Sequence, residues 1–346
     1  MVEESRRRRI LVIAALGVAL PLGAVARAAD ESEEPAAEPT PLPFGGPIEI
    51  QDTFLPAQVR PQLYSESAAL LPQGAFSARV VGDWSNHFAK TDTYVFDGES
   101  VTSALRLRYA PWRRVEIGAD VPWVVRFNGT LDPLIEDVES ALDARVRARF
   151  ETPRARWNAL VIAPNGARRM RLLEGSSQGD VSLRGRFALA RRDELGFDAS
   201  VVASLGLPTG SDSFGGEGVT PGLGVDLQKS FDTVNLFGGA SVQHFTDATE
   251  QDFRLAPWRW MTYAGVEWRP RHGWLGVLLQ YQVYGPLART NDPLDEPAHY
   301  YAGGFRVYLP ERVTLDAMAI ENNGLVENRN STDISFHFAV GWAFQP

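Results

Sequence analysis

The sequence predicts an all-β fold: a transmembrane, antiparallel, up-and-down β-barrel of about twelve strands, in a range of about ten to fourteen, with both termini periplasmic. Three observations predict it. In the last segment, Ile334, Phe336, Phe338, Val340, Trp342 and Phe344 alternate with Ser335, His337, Ala339, Gly341 and Ala343. A strand sends such alternate side chains to opposite faces. Similar segments recur along the chain, joined by connections that are alternately short and long. Aromatic residues gather near both ends of these segments, as expected at the two interfaces of a bilayer.

Composition agrees. The 346 residues carry a net charge of −9, so there is no basic excess to suggest a nucleic-acid partner. The absence of cysteine excludes disulfides, thiolate metal sites and cysteine nucleophiles. Mean hydropathy is slightly negative, and no apolar run after residue 30 reaches the length of a spanning helix. A barrel tolerates this, because about half the residues of its strands face the lumen.

Residues 1–28 have the form of a cleaved export signal: Arg6–Arg9 are basic, Ile10–Leu22 apolar, and Ala24, Ala26 and Ala28 supply small residues for cleavage. Residues 29–43 form an acidic, Pro-rich leader expected to be disordered. Residues 44–74 are punctuated by Pro47, Pro56, Pro61 and Pro72 and are expected to be an irregular periplasmic or lumenal lead-in to a barrel over 75–346.

Alternation begins at Phe76, with Ala78, Val80 and Trp84 opposed to Ser77, Arg79, Asp83 and Ser85. It resumes over 101–109 and 115–127, then over 181–189, 195–207, 222–229, 234–243, 260–269, 274–284, 300–309, 313–320 and 334–344. Short connections fall at 111–114, 191–194, 230–233, 270–272 and 310–312. Long ones fall at 86–100, 128–180, 208–221, 245–259, 285–299 and 321–333. A periplasmic N-terminus puts every short turn in the periplasm and every long loop outside. Trp112, Trp268, Trp274, Trp342 and Phe344 are expected to form one girdle, and Trp84, Trp123, Phe127, Trp260 and Tyr284 the other. Within 128–180, Leu134, Ile135, Val138 and Leu142 have helical spacing, suited to a short surface helix or a lid over the mouth. If a hairpin over 157–173 joined the wall, the strand count would become fourteen.

The segments Val115-Glu116-Ile117-Gly118-Ala119-Asp120-Val121-Pro122-Trp123, Leu131-Asp132-Pro133-Leu134-Ile135-Glu136, Gln178-Gly179-Asp180-Val181 and Leu205-Gly206-Leu207-Pro208-Thr209-Gly210 resemble a group of uncharacterised bacterial outer-membrane proteins. They are more distantly similar to barrels for uptake of phenolic and other hydrophobic compounds. The resemblance spans residues 44–346 and implies fold and compartment, the bacterial outer membrane, rather than an activity.

Register arithmetic places charges in the lumen. Arg106 and Arg108 face Glu116, Gly118 or Asp120 across the Pro111 turn. Arg184 and Arg186 follow, with Arg186 opposite Asp198, and Arg306 opposite Asp316. Alternating signs on neighbouring strands suggest a cross-strand ionic belt, serving either as a selective constriction or as packing for a narrow lumen. Balanced signs favour packing. Asp83, Ser85 and His87 on the first strand and Ser335 and His337 on the last are neighbours if the barrel closes, the raw material of a nucleophilic triad. Lipid-cleaving barrels turn such groups to the bilayer, and these face inward. No catalytic residue, metal cluster or cofactor is assigned, and the chain is not read as an enzyme. The expected function is a channel or transporter for small or hydrophobic solutes, with outer-membrane lipid and the barrel-assembly machinery as partners. A structural or surface-interaction barrel acting through its loops is the first alternative, and an outer-membrane lipid or ester hydrolase the second.

Overall fold

The structure is a computed structural model; it describes residues 45–344 except 134, 136, 138–155, 163–167, 271–272, 290–292 and 323–330. The expected signal, the leader, most of the helical stretch after Leu134 and the loop tip before Ser331 lie outside the described residues.

The strands are β1 (Phe76–Lys90), β2 (Tyr94–Trp112), β3 (Val115–Phe127), β4 (Asn158–Ile162), β5 (Arg168–Arg171), β6 (Gly175–Gln178), β7 (Ser182–Ala190), β8 (Asp198–Gly206), β9 (Thr220–Ser230), β10 (Val234–His244), β11 (Thr249–Glu250), β12 (Phe253–Arg254), β13 (Trp258–Trp268), β14 (Leu275–Tyr284), β15 (Ala298–Leu309), β16 (Val313–Asn322) and β17 (Ile334–Phe344). Twelve of them, β1–β3, β7–β10 and β13–β17, form a closed antiparallel wall. Closure is made by β17 on β1, from Phe76 opposite Phe344 to Asn86 opposite Ile334. The alternating terminal segment is thus the closing strand, and it leaves no edge open to another chain.

The hairpin within 157–173 does not enlarge the wall. β4 pairs with the outer part of β2, Tyr94–Asp97, and β5 pairs with β4. β6 pairs with β3 at Trp123–Arg126, and β7 pairs with β3 at Val115–Asp120. The break between them coincides with Pro122, which has no N–H to give the ladder. Its carbonyl instead accepts the Gly179 N–H at 3.1 Å.

Burial is inverted relative to a water-soluble domain. Val80, Leu279 and Trp274 on the outside are 55%, 61% and 65% exposed, while Arg106 and Arg306 inside are 1% and 0% exposed. An apolar exterior around a charged interior suits a hydrocarbon surround, where ladder closure satisfies the wall's backbone. Trp112, Trp268, Trp274, Trp342 and Phe344 at the short-turn end, and Trp123 and Trp260 at the long-loop end, project outward. Tyr284 departs from the expected girdle: it is buried in the lumen, and its hydroxyl donates to the Ile50 carbonyl at 3.0 Å.

The lumen is filled by residues 45–74. The segment starts beside β15, where Arg306 donates to the Gly46 carbonyl at 2.7 Å. It runs toward the long-loop end past Gln280 and Gln282. There it makes one 3-10 turn at Leu55–Ala57, against Tyr94, Phe96 and Leu294. It then returns past Gln243, Asp120 and Glu116 to Gly74, whose N–H donates to the Ala110 carbonyl just before β1. The two arms are tied: Gln62 Nε2 donates to the Asp52 carbonyl at 3.1 Å, and the Ser65 hydroxyl donates to the Ile48 carbonyl.

Two of the segments that carry the family resemblance meet at one carboxylate. Asp180 Oδ1 accepts the N–H groups of Thr209 at 3.0 Å and Gly210 at 2.8 Å, and Oδ2 accepts that of Gly216 at 2.8 Å. Gly210 is needed for room, since a Cβ there would lie 2.6 Å from the Gly215 Cα. Asp180→Asn would turn an acceptor into a donor facing N–H groups. It is expected to destabilise the 207–221 loop by about 1–3 kcal/mol, read as faster proteolytic nicking there with the wall left intact.

Candidate functional site: the filled lumen

Eight of the nine residues expected in the charge belt line the lumen and are buried: Arg106, Arg108, Glu116, Asp120, Arg184, Arg186, Arg306 and Asp316. Strand alternation puts them there, because each lies on the face opposite an outward apolar neighbour such as Leu105, Ile117 or Phe305. Arg306 and Asp316 stand opposite each other and form a two-pronged pair, Nε to Oδ1 and Nη2 to Oδ2, both at 2.8 Å. Arg106 opposes Asp120 and Arg108 opposes Gly118, but the ion pair runs diagonally from Arg108 to Asp120 at 2.8 Å.

The ninth residue, Asp198, departs from expectation. Arg186 lies opposite Val202, and Asp198 opposes Gln228 on the other side. A short helix, α1 (Arg192–Leu195), capped by left-handed Gly196 (φ 76°), lengthens the β7–β8 connection. A bulge between Ala188 and Ala190 shifts the ladder further. Asp198 accepts the Arg192 N–H at 3.0 Å at that turn, while Arg186 pairs with Glu116 at 2.8 Å. Beside it, the Arg113 hydrogen bond holds the exposed Asp193 carboxyl below its usual range.

The five-residue polar constellation resolves into separate pairs. His337 Nδ1 and Asp83 Oδ1 are 2.8 Å apart, Ser85 and Ser335 share a hydroxyl hydrogen bond at 2.8 Å, and His87 Nε2 meets Ser100 at 2.8 Å. His337 Nε2 has no hydrogen-bond partner among the described residues. Among the described residues, neither Ser85 nor Ser335 contacts an imidazole, and His87, which meets Ser100, has no hydrogen-bond partner at Nδ1. These groups therefore form no serine–imidazole–carboxylate relay.

The interior segment supplies the functional groups that periodicity did not reveal. Glu49 bridges Arg79 at 3.3 Å and Arg106, and Glu66 bridges Arg108 at 3.0 Å and Arg184 at 2.8 Å. The Tyr64 ring lies between two guanidinium groups, 3.6 Å from Arg106 and 3.8 Å from Arg184, measured to the ring centroid. Its hydroxyl donates to Asp120 Oδ2 at 3.0 Å. Nearer the long loops, Asp52 pairs with Arg259 and accepts the Tyr300 hydroxyl at 2.7 Å. Thr53 shares hydroxyl contacts with Thr332 at 2.9 Å and Ser335 at 3.2 Å. These side chains lie in a stretch without helical or strand period, so no local pattern marks them.

Charge is closely matched. Among the described residues, this network joins six wall arginines (79, 106, 108, 184, 186 and 306) to four wall carboxylates (Glu116, Asp120, Glu267 and Asp316) and to Glu49 and Glu66 of the interior segment. Within this network the wall residues are cationic by two charges, and Glu49 and Glu66 cancel both; Asp52 separately answers Arg259.

The fold resembles that of the COG4313 outer membrane channel from Pseudomonas putida F1, with a TM-score of 0.55 and 12% identity over 82% of this chain and 100% of that one. Two further solved structures align at lower scores: the NanC porin, at 0.41 and 10% identity over 78% of this chain and 100% of that one, and the CymD monoaromatic hydrocarbon channel, at 0.39 and 12% identity over 80% and 89%. At such identities the first likeness is one of fold. No curated protein matches the sequence. Residues 24–344 match the model for the proteins of unknown function called DUF3187, and the chain belongs to that family.

Proposed function

We propose that the protein is an outer-membrane channel for small solutes, closed at rest by residues 45–74 and opened when that segment moves. An export signal over residues 1–28 would deliver it, and the short turns would face the periplasm. The observation that carries this reading is how the segment is held. Its backbone joins the wall's backbone at its root, where Gly74 and Ala75 bond to Ala110. Along the rest of its path it is gripped by side chains: Gln280, Gln243, Arg306, Arg186 and Ser335 reach in to it. Such contacts can be exchanged for water without opening the β-ladder, so the filling can leave while the wall stays closed.

A double substitution tests it. Thr53 and Ser335 bring their hydroxyl oxygens within 3.2 Å of each other, and the chain has no other thiol to interfere. In planar bilayers, oxidised Thr53→Cys/Ser335→Cys is expected to be silent and to conduct like the unmodified protein once reduced. Equal conductance in both redox states would show that the segment does not gate, and silence of the unmodified protein would favour a purely structural barrel.

A further inference from the structure

The lumen that the segment vacates is built for an anion with a flat ring. We infer that the open channel binds small aromatic carboxylates between Arg106 and Arg184, in the place that Tyr64 and Glu66 occupy when it is closed. This rests on the gating proposed above and adds a substrate class to it.

Four observations carry the inference. First, Arg106 and Arg184 stack on the Tyr64 ring at 3.6 and 3.8 Å, leaving a slot between two guanidinium groups that is one aromatic ring wide. Arginine planes stack on aromatic faces in this way, and a lysine would not reproduce them. Second, the carboxylate of Glu66, two residues along, is held by Arg108 at 3.0 Å and Arg184 at 2.8 Å. The segment therefore presents a ring and a carboxylate to the wall side by side. Third, departure of the segment removes Glu49 and Glu66 and leaves the paired wall groups two charges positive. A buried cation without its partner is strongly unfavourable, so an incoming anion is favoured over a neutral solute. Fourth, Arg106 Nε and Nη2 are buried with no hydrogen-bond acceptor among the described residues. The closed state leaves these donors unused, and a solute with carboxylate oxygens can engage them.

The test is sodium benzoate against the full chain carrying Tyr64→Ala/Glu66→Ala, which empties the slot while leaving the wall unaltered. Saturable binding in titration calorimetry is expected, with benzamide at least about tenfold weaker because it lacks the charge. Adding Arg184→Lys should weaken benzoate by about tenfold, since charge is kept and stacking lost. Absence of benzoate binding, or equal affinity for benzamide, overturns the inference. If the double variant does not refold, the unmodified channel gives the reading: its current in a potassium chloride gradient should reverse toward the chloride potential and fall with benzoate more than with benzamide. Cation preference, or equal block by both, overturns it. The two proposals fail separately: silent bilayers with benzoate bound would sink the channel, whereas conduction without binding or anion preference would sink the aromatic anion site.

Discussion

Asp316→Asn is expected to lower the stability of the barrel by about 3–5 kcal/mol, the usual cost of stranding one member of a buried ion pair. Asp316 lies 4% exposed between two cations and accepts both prongs of Arg306, while its Oδ2 also meets Arg79. The asparagine amide would replace one acceptor by a donor aimed at a guanidinium. Arg306 also donates to the Gly46 carbonyl, so the loss should loosen the start of the interior segment. Urea unfolding in lipid vesicles measures it, as a marked fall in the midpoint. Asp198→Asn is the control: that residue holds one backbone N–H at a turn, and a change of about 1 kcal/mol or less is expected. Equal effects from both would show that the lumenal pair is not a principal support of the wall.

On the proposed gating by residues 45–74, Glu49→Gln/Glu66→Gln is expected to open the lumen. Each carboxylate bridges two arginines, and a charge-assisted hydrogen bond is worth about 1.5–3 kcal/mol. Losing both should shift the equilibrium between seated and released segment by roughly tenfold or more, counting 1.4 kcal/mol per decade. The wall keeps its own pairs, Arg108 to Asp120, Arg186 to Glu116 and Arg306 to Asp316, so the variant should fold. Time-averaged conductance in planar bilayers should rise at least about tenfold, and proteolysis within 45–74 should accelerate. A variant that is folded, silent and protected there would mean that the carboxylates do not seat the segment.

Much of the architecture was legible because barrel strands obey a period of two. Leu105, Leu107 and Tyr109 opposed to Arg106 and Arg108 point outward and inward as alternation requires. The exchange of short and long connections pointed to an even-stranded barrel, and the closing strand pairs with β1 as expected. The exchange is not strict, because the expected long loop over 86–100 is paired strand from Asn86 opposite Glu99 to Lys90 opposite Val95, leaving only residues 91–93 between β1 and β2. Where connections were tight, register was legible too: Arg306 stands opposite Asp316. Where a connection could coil, it was not. The helical turn at Arg192–Leu195 and the bulge before it moved Asp198 away from Arg186, and one extra local bond in a turn decides every pairing beyond it.

The sequence by itself determined which residues face outward and which face the lumen, since that needs local periodicity alone. Only the tertiary structure decided what fills the lumen. Residues 45–74 have no period to read, because they make their contacts through single side chains reaching a wall up to 282 positions away in the chain. The apparent balance of charge was settled there as well. Counted on the wall, the paired groups lean positive; Glu49 and Glu66 complete them. Buried charges must be neutralised where they sit, and the chain does this by folding its own N-terminal segment into the barrel that follows it.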